Sequence, residues 1–333
     1  MTGFSKKMIA LVAVAAAAMP LCSAGDNWAI VNLSANFMRE KPGYAEENGC
    51  QALMGAVCEV LETKGYWVKI KTGDYTAWTN EMGLVKISRE EKDEYLSSSR
   101  WICTADYTHI WSEASTQSLR LCDITAGGIV RKTSGAGWPG WTAVKLPDGR
   151  KGWMQSDDIT DFRRWVQGRK AAACRDGLWD PKAADAIVAS ALNMNGVPYM
   201  WGGNSTKSVD CSGLVKLVYL LNGISLPRNA SDQAAVLPDV EGAVSSKGDI
   251  DESVIQPGDL LFFGKAAAVS SPMKISHVGI WIGNGQFIHA SQVVRISTLE
   301  EYSRKPVCIR RVLGNVGKPG VTAVAEDPYY FTL

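Results

Sequence analysis

Cys211 stands in Asp210-Cys211-Ser212-Gly213, after a Gly-rich turn, Pro198-Tyr199-Met200-Trp201-Gly202-Gly203, and before an apolar stretch, Leu214 to Leu221. That junction places the thiol in the first turn of a helix, where the partial positive charge of the N-terminus favours thiolate. The chain has three histidines. His277 and His289 both lie well downstream of Cys211, in strand-like segments, His277-Val278-Gly279-Ile280 and Phe287-Ile288-His289-Ala290-Ser291. Gly283-Asn284-Gly285 between them reads as a hairpin turn, which sets the two imidazoles on adjacent strands. His277 suits the base that takes the thiol proton and forms an ion pair with it. His289 suits the partner that fixes its tautomer and orientation. Backbone N–H groups at the helix start can hold an oxyanion, helped by the Tyr199 hydroxyl if it points inward. These residues describe a Cys-His-His thiol hydrolase.

Each of these residues also has an ordinary reading. A cysteine before an apolar helix is commonly a core residue, and a single histidine commonly a buried ring. The Asp-Cys-Ser-Gly flank and the hairpin histidines together weigh against that reading. Asp210 either caps the helix or contacts substrate. Arg228, in Leu226-Pro227-Arg228, either binds a substrate carboxylate through its fork or forms an ion pair within the fold. His109 reads as structural or surface. No Cys-x-x-Cys occurs and histidines are scarce, so no zinc pattern is present, and neither metal nor cofactor is expected. The net charge is +1, and no basic face marks a nucleic-acid partner.

The elements that must carry these groups fall into distinct stretches. Lys6-Lys7, an apolar run Met8 to Met19 and Leu21-Cys22-Ser23-Ala24 follow in that order. This is the pattern of a secretory signal cleaved after Ala24. A span needs about 20 apolar residues, so no transmembrane segment is expected. The mature protein is expected in the periplasm or cell envelope; lipidation at Cys22 is disfavoured by Leu21. Residues 25–88 and 89–161 read as short strands and turns, the second stretch opening on a linker or short helix at Ser88 to Ser99. Trp67…Tyr75-x-x-Trp78 and Trp141…Gly149-x-x-Gly152-Trp153 suggest a repeated β-unit of about 60 residues. Asp161 to Pro181 reads as a connector, and Ala183 to Met194 as a helix stopped by Asn195-Gly196. Strands at Leu260–Phe263, 278–282, 286–289, 293–294 and 307–312 complete an antiparallel sheet, so residues 162–333 are α+β. The tail ending Tyr329-Tyr330-Phe331 is too aromatic to stay detached. Export permits disulfides; with Cys211 free, six cysteines allow fifteen pairings and the sequence does not choose among them, so the within-domain pairs Cys50–Cys58, Cys103–Cys122 and Cys174–Cys308 stand beside the reading that several are buried free thiols.

Tyr199-x-Trp-Gly-Gly, Asp210-Cys-Ser-Gly, Leu226-Pro-Arg, Pro257-Gly-Asp-Leu, His277-Val-Gly and His289 resemble, in this order, the motifs of the NlpC/P60 peptidases, over residues 183–312. The two β-rich stretches resemble bacterial SH3 domains. The first carries Glu47-Asn48-Gly49-Cys50-Gln51-Ala52-Leu53-Met54-Gly55, similar to a Glu-x-x-x-Gln-Ala-Leu-x-Gly run of such modules. The resemblance implies a papain-like catalytic domain after two small all-β SH3-like barrels. It implies Cys211 as nucleophile, His277 as base, His289 as orienting residue and Tyr199 at the oxyanion. The implied reaction is cleavage of the γ-D-glutamyl–diamino acid bond of murein peptides such as L-Ala-γ-D-Glu-diaminopimelate. The two-barrel subgroup implies a free N-terminal L-Ala, its ammonium held by Glu47 and Asp210, with Tyr75 or Trp78 as aromatic wall and Ser212 and Ser231 bonding the glutamyl part. A remodelling hydrolase of intact murein and a wall-binding module with an inactive peptidase domain are the alternatives. Oligomeric state and the identity of the diamino acid stay open.

Overall fold

The computed structural model describes residues 27–331 except 74, 134–136, 174–177, 246 and 268–270. The leader, Cys22 and Cys174 lie outside the described residues. Seven short strands come first: β1 Trp28–Val31, β2 Ala35–Arg39, β3 Asn48–Leu53, β4 Val57–Lys64, β5 Trp67–Thr72, β6 Tyr75–Asn80 and β7 Leu84–Ile87. They form one antiparallel sheet in the order β3-β2-β6-β5-β4-β1-β7. Alternation explains it: in β5, Val68 and Ile70 are fully buried while Lys69 and Lys71 face outward. Seven more strands follow: β8 Arg100–Cys103, β9 Tyr107–Trp111, β10 Arg120–Thr125, β11 Ile129–Lys132, β12 Trp141–Lys145, β13 Lys151–Gln155 and β14 Ile159–Asp161. Their order, β10-β9-β13-β12-β11-β8-β14, repeats the first sheet strand for strand. Each unit also carries a 3₁₀ turn before its last strand, Glu81–Gly83 and Ser156–Asp158. The repeat hinted at by the tryptophan spacing is thus a repeat of topology.

Helix α1, Arg89–Ser97, joins the two units. Ser88 and Glu91 close a capping box around its first turn, each satisfying a backbone donor that the helix leaves open. Tyr95 and Leu96 are buried under it. Residues read from sequence as a connector instead form α2, Phe162–Ala173. Beside its charged run, Arg163-Arg164…Arg169-Lys170, lies a short apolar face: Phe162 and Val166 are buried, and their i, i+4 spacing puts them on one side. The chain's end covers that face, with the Phe331 ring stacked on Phe162 at 5.1 Å and the Arg100 guanidinium over both rings. Helix α3, Pro181–Asn193, starts with Asp180 as N-cap and Pro181 in its first turn, the residue types that suit those positions.

The C-terminal half is a five-stranded antiparallel sheet with helices on one face. A ribbon of β15 Asn204–Ser205 and β16 Ser208–Val209 leads into α4, Cys211–Leu220; β17 Ile224–Ser225 and α5 Ala230–Val236 follow. The sheet strands are β18 Leu260–Lys265, β19 Lys274–Gly283, β20 Gln286–Ser291, β21 Val293–Thr298 and β22 Pro306–Arg310, in the order β21-β20-β19-β18-β22; β23 Thr322–Ala323 pairs with β17. Leu214, Val215, Leu217 and Val218 of α4 share one core with Val278, Ile280 and Ile288 of the sheet. The whole is α+β.

The run Gln51-Ala52-Leu53-Met54-Gly55 is where the three bodies meet. The Gln51 carbonyl oxygen Oε1 accepts from the Asn204 backbone N–H at 2.9 Å and the Ser205 hydroxyl at 3.0 Å. Leu53 belongs to the core of the C-terminal half, and Met54 to the core of the second β-unit. A Cβ on Gly55 would lie 2.2 Å from the Ile129 carbonyl, so only glycine fits there.

Two of the expected disulfides are absent. Cys50 and Cys58 are separate buried residues in the first β-unit. Cys103 and Cys122 are likewise unbridged, and Cys308 carries a thiol. Small β-cores use cysteine as a compact apolar residue, and burial pushes the Cys58 and Cys103 thiols up to about 12.

Candidate active site

Asp210 is the N-cap of α4, its Oδ1 accepting from the Gly213 N–H at 2.7 Å. A capping carboxylate of this kind satisfies one of the open donors of the first turn, and it fixes Cys211 at the first helical position. The backbone N–H groups of Val278 and Ser212 lie near enough to the sulfur to favour its thiolate, so the thiol lies against β19 one residue beyond His277. At the Asn284-Gly285 turn, φ is 53 and 72 degrees, and the chain returns as β20. Two successive left-handed residues match the twist of a tight hairpin. His277 Nε2 and His289 Nδ1 are 2.7 Å apart, and His289 Nε2 is 3.0 Å from the Ser297 hydroxyl on β21. Gly279 makes room for this pair: a Cβ there would stand 2.6 Å from the Phe287 ring and 3.2 Å from the His289 Cβ.

Two proton arrangements satisfy the row, with the donors running from His277 towards Ser297 or from Ser297 towards His277. The first, His277 Nε2–H to His289 Nδ1 and His289 Nε2–H to Ser297 Oγ, is the one that leaves Nδ1 of His277 as an acceptor for the thiol proton. Burial holds His277 down to about 3 and His289 down to about 4. Burial, reinforced by the Asp210 carboxylate, pushes the Cys211 thiol up to about 11, against the two N–H donors. Both shifts favour the neutral thiol and the neutral imidazole over the ion pair. Desolvation of both charges outweighs the helix terminus.

Arg228 lies 1% exposed, and its fork closes on Asp210: Nη1 to Oδ1 at 3.0 Å and Nη2 to Oδ2 at 2.5 Å. Of the two readings open in the sequence, the ion pair within the fold is the one observed. The same guanidinium donates to Ser212 Oγ at 3.0 Å and to the Cys50 sulfur of the first β-unit. Gly202 N–H donates to Asp210 Oδ2 at 2.9 Å, so the Gly-rich turn is tied to the same carboxylate.

A cavity of about 250 Å³ opens over Cys211. Asp210, Ser212, Arg228 and Ser231 line it from the C-terminal half, with Trp201 at 60% exposure on its rim. Glu40 and Tyr75 line it from the first β-unit. Glu47 is exposed and not among the lining residues, and Trp78 is buried inside its own unit. Both reside within the β-unit expected to wall the site, but the strand register brings Glu40, just beyond the end of β2 and bonded through its backbone N–H to the Glu47 carbonyl at 3.0 Å, to the cavity instead. Tyr199 lies close enough for the Cys211 and Asp210 charges to act on its hydroxyl, and burial leads in pushing that hydroxyl up to about 12. His109 is remote, beside Tyr107 and Trp111 on β9. Glu40, Trp201 and Ser297 were missed as site residues; no motif marks the first and last, and only the fold brings them to the site. Among the described residues no cluster of metal-ligating side chains occurs, and no helix is long and apolar enough to cross a membrane.

The NlpC/P60 family pattern matches residues 196–312, the span from the Gly-rich turn through the last strand of the sheet. This stretch is an NlpC/P60 domain. A γ-D-glutamyl-L-lysine dipeptidyl-peptidase of Bacillus cereus is 26% identical over 74% of this chain and 68% of its own length. Dipeptidyl-peptidase 6 of Lysinibacillus sphaericus is 25% identical over 83% of this chain and 92% of its own length. A crystal structure of an NlpC/P60 family protein from Bacillus cereus superimposes with a TM-score of 0.64, at 21% identity, over 86% of this chain and 99% of that one. That similarity covers the fold of the NlpC/P60 domain and the all-β region before it. The β-region's strand order is consistent with SH3-like units.

Proposed function

We propose that the protein is an exported cysteine peptidase that cleaves the γ-D-glutamyl–diamino acid bond of short murein peptides with a free N-terminal L-Ala. The observation that carries this reading is the end wall of the cavity. The first β-unit sets Glu40 and Tyr75 across from Asp210 and Cys211. A groove stopped by a carboxylate and a phenol suits a short substrate ending in an ammonium. A cation taken out of water needs an anion beside it. The charge of Asp210 is already matched by Arg228, so the ammonium falls to Glu40 and the Tyr75 hydroxyl, with Asp210 behind them. Ser212 and Ser231 face the glutamyl part. The name of the Bacillus cereus relative, a γ-D-glutamyl-L-lysine dipeptidyl-peptidase, supports the same class of bond.

In this mechanism the Cys211 thiol attacks the γ-carbonyl carbon of the glutamyl residue as its proton passes to His277 Nδ1. The C–S bond forms and the carbonyl π pair moves to oxygen, where the Cys211 N–H and the Tyr199 hydroxyl receive it. Collapse of the tetrahedral intermediate breaks the C–N bond, and the leaving amine takes the proton from His277. A water, deprotonated by His277, then attacks the thioester and releases the dipeptide and the thiol. His289 and Ser297 hold the imidazole through both halves.

Incubation of the mature protein with L-Ala-γ-D-Glu-diaminopimelate and with its N-acetylated copy, read by mass spectrometry, tests the reading. Release of diaminopimelate from the free peptide alone is the expected result. Cleavage of both peptides would move the assignment to a remodelling hydrolase of intact murein. Cleavage of neither, with Cys211 still alkylated by iodoacetamide, would point to a binding protein.

A further inference from the structure

The second β-unit contributes nothing to the lining of the catalytic cavity, yet two of its polar contacts reach the segment that delivers Cys211. The β15–β16 hairpin spans residues 204–209 and runs directly into Asp210-Cys211. Its base is held by Gln51 of the first unit. Its tip carries Thr206 and Lys207, and both reach the second unit. The Thr206 hydroxyl donates to the Asp106 carbonyl, and the Lys207 ammonium pairs with Asp123 on β10. Asp123 is a three-body node. Ser34 of the first unit, itself 7% exposed, donates to Asp123 Oδ2 at 2.7 Å, and Lys207 Nζ also donates to Ser34 Oγ at 2.9 Å. A second strut joins the two β-units near by, Asn32 Nδ2 donating to Asp148 Oδ2 at 3.0 Å.

We propose that Lys207 and Asp123 are positioning residues that set substrate specificity: the second β-unit braces the catalytic hairpin against the first unit, keeping the Glu40–Tyr75 wall in register with Cys211. This rests on the free-ammonium reading given above. The physical reason is leverage. Tyr199 pairs with Val209 as an isolated bridge, and the Met200 N–H donates to the Val209 carbonyl at 3.0 Å. The hairpin therefore carries the oxyanion-side tyrosine and the rim tryptophan as well as the nucleophile. Gln51 still holds the base of the hairpin when the tip contacts are lost, so Cys211 keeps its own setting while the Glu40–Tyr75 wall shifts against it, which bears on binding the amino end.

The test compares wild type with Lys207→Met, Asp123→Asn and Lys207→Arg in the full-length mature protein. For Lys207→Met, KM for the free peptide is expected to rise about tenfold, equivalent to about 1.4 kcal/mol of lost binding. Preference over the N-acetylated peptide should shrink, with kcat and the Cys211 alkylation rate within about twofold of wild type. Asp123→Asn should match it and Lys207→Arg should restore the wild-type KM. Hydrogen exchange across residues 204–209 should speed up in Lys207→Met. Unchanged KM, preference and exchange would overturn the brace. So would a parallel loss of kcat, alkylation and global stability, which would mark a merely structural contact. If wild type itself cleaves both peptides alike, the free-ammonium reading fails, while faster or unchanged exchange in Lys207→Met still decides the brace on its own.

Discussion

At Cys211 and His277 two opposed effects meet: a helix terminus and two N–H donors favour the thiolate, while burial disfavours both charges. With the thiol near 11 and His277 near 3, each group is neutral from about pH 4 to pH 10, so thiolate in the empty enzyme grows with pH. The alkylation rate of Cys211 is expected to climb about tenfold per pH unit between 7 and 10. A plateau beginning below pH 6, the mark of a preformed ion pair, would contradict this. Ser297 has a narrower task. Ser297→Ala removes the partner of His289 Nε2 and frees its tautomer, and kcat is expected to fall about tenfold with KM retained. A kcat within twofold of wild type would leave Ser297 a bystander. Arg228→Met strands the Asp210 carboxylate in a buried site; a loss of about 3–5 kcal/mol in denaturant unfolding is expected. The helix-start position of Cys211 and the pairing of His277 with His289 were legible because the glycine turn and the hairpin each leave a sequence mark. Ser297 left none, since a serine in an alternating strand is ordinary. Glu40, which lines the cavity where Glu47 does not, was not legible because short strands with exposed acids on either side of a turn give no unique register.

At the scale of elements, the site depends on close backbone approaches that only glycine allows. Gly202 has a φ of +76 degrees, and a Cβ there would stand 2.3 Å from the Asn48 carbonyl of the first β-unit. Gly202→Ala meets both left-handed strain and a clash with backbone, so a loss of about 2–4 kcal/mol is expected. The first unit would be pushed off the cavity, which would show as faster tryptic cleavage between residues 86 and 100. Gly202→Ala with wild-type stability and KM would mean that the first unit does not sit against this turn. The strands of the sheet were legible because buried β-branched and aromatic runs end at Gly-rich turns, as at Gly283-Asn284-Gly285. Helix α2 was not. Its charged residues interrupt the apolar ones, and its buried face is covered by Phe331 and Arg100, which are far away along the chain. The disulfides failed for a related reason: cysteine spacing does not distinguish a bridge from a small apolar residue in a β-core.

At the scale of the whole molecule, the junction run Gln51 to Gly55 welds three bodies. The motif was visible in the sequence, but its meaning was not, because each residue answers to a different domain. Met54 is the clearest case. It belongs to the first β-unit, yet it is 1% exposed within the second unit's core, beside Ile110, Ile124 and Val144. Met54→Ala leaves a hole there worth about 2–5 kcal/mol. The loss should be selective: the NlpC/P60 domain keeps its own core of Leu214, Val218, Ile280 and Ile288, so Cys211 should remain alkylable while the two β-units melt earlier. Calorimetry of Met54→Ala should therefore resolve two transitions, the lower one shifted by the substitution and the upper one unmoved. A single cooperative transition, displaced as a whole, would show instead that the three bodies fold as one unit. The end wall of the cavity would then be a property of the catalytic core rather than of a domain held against it.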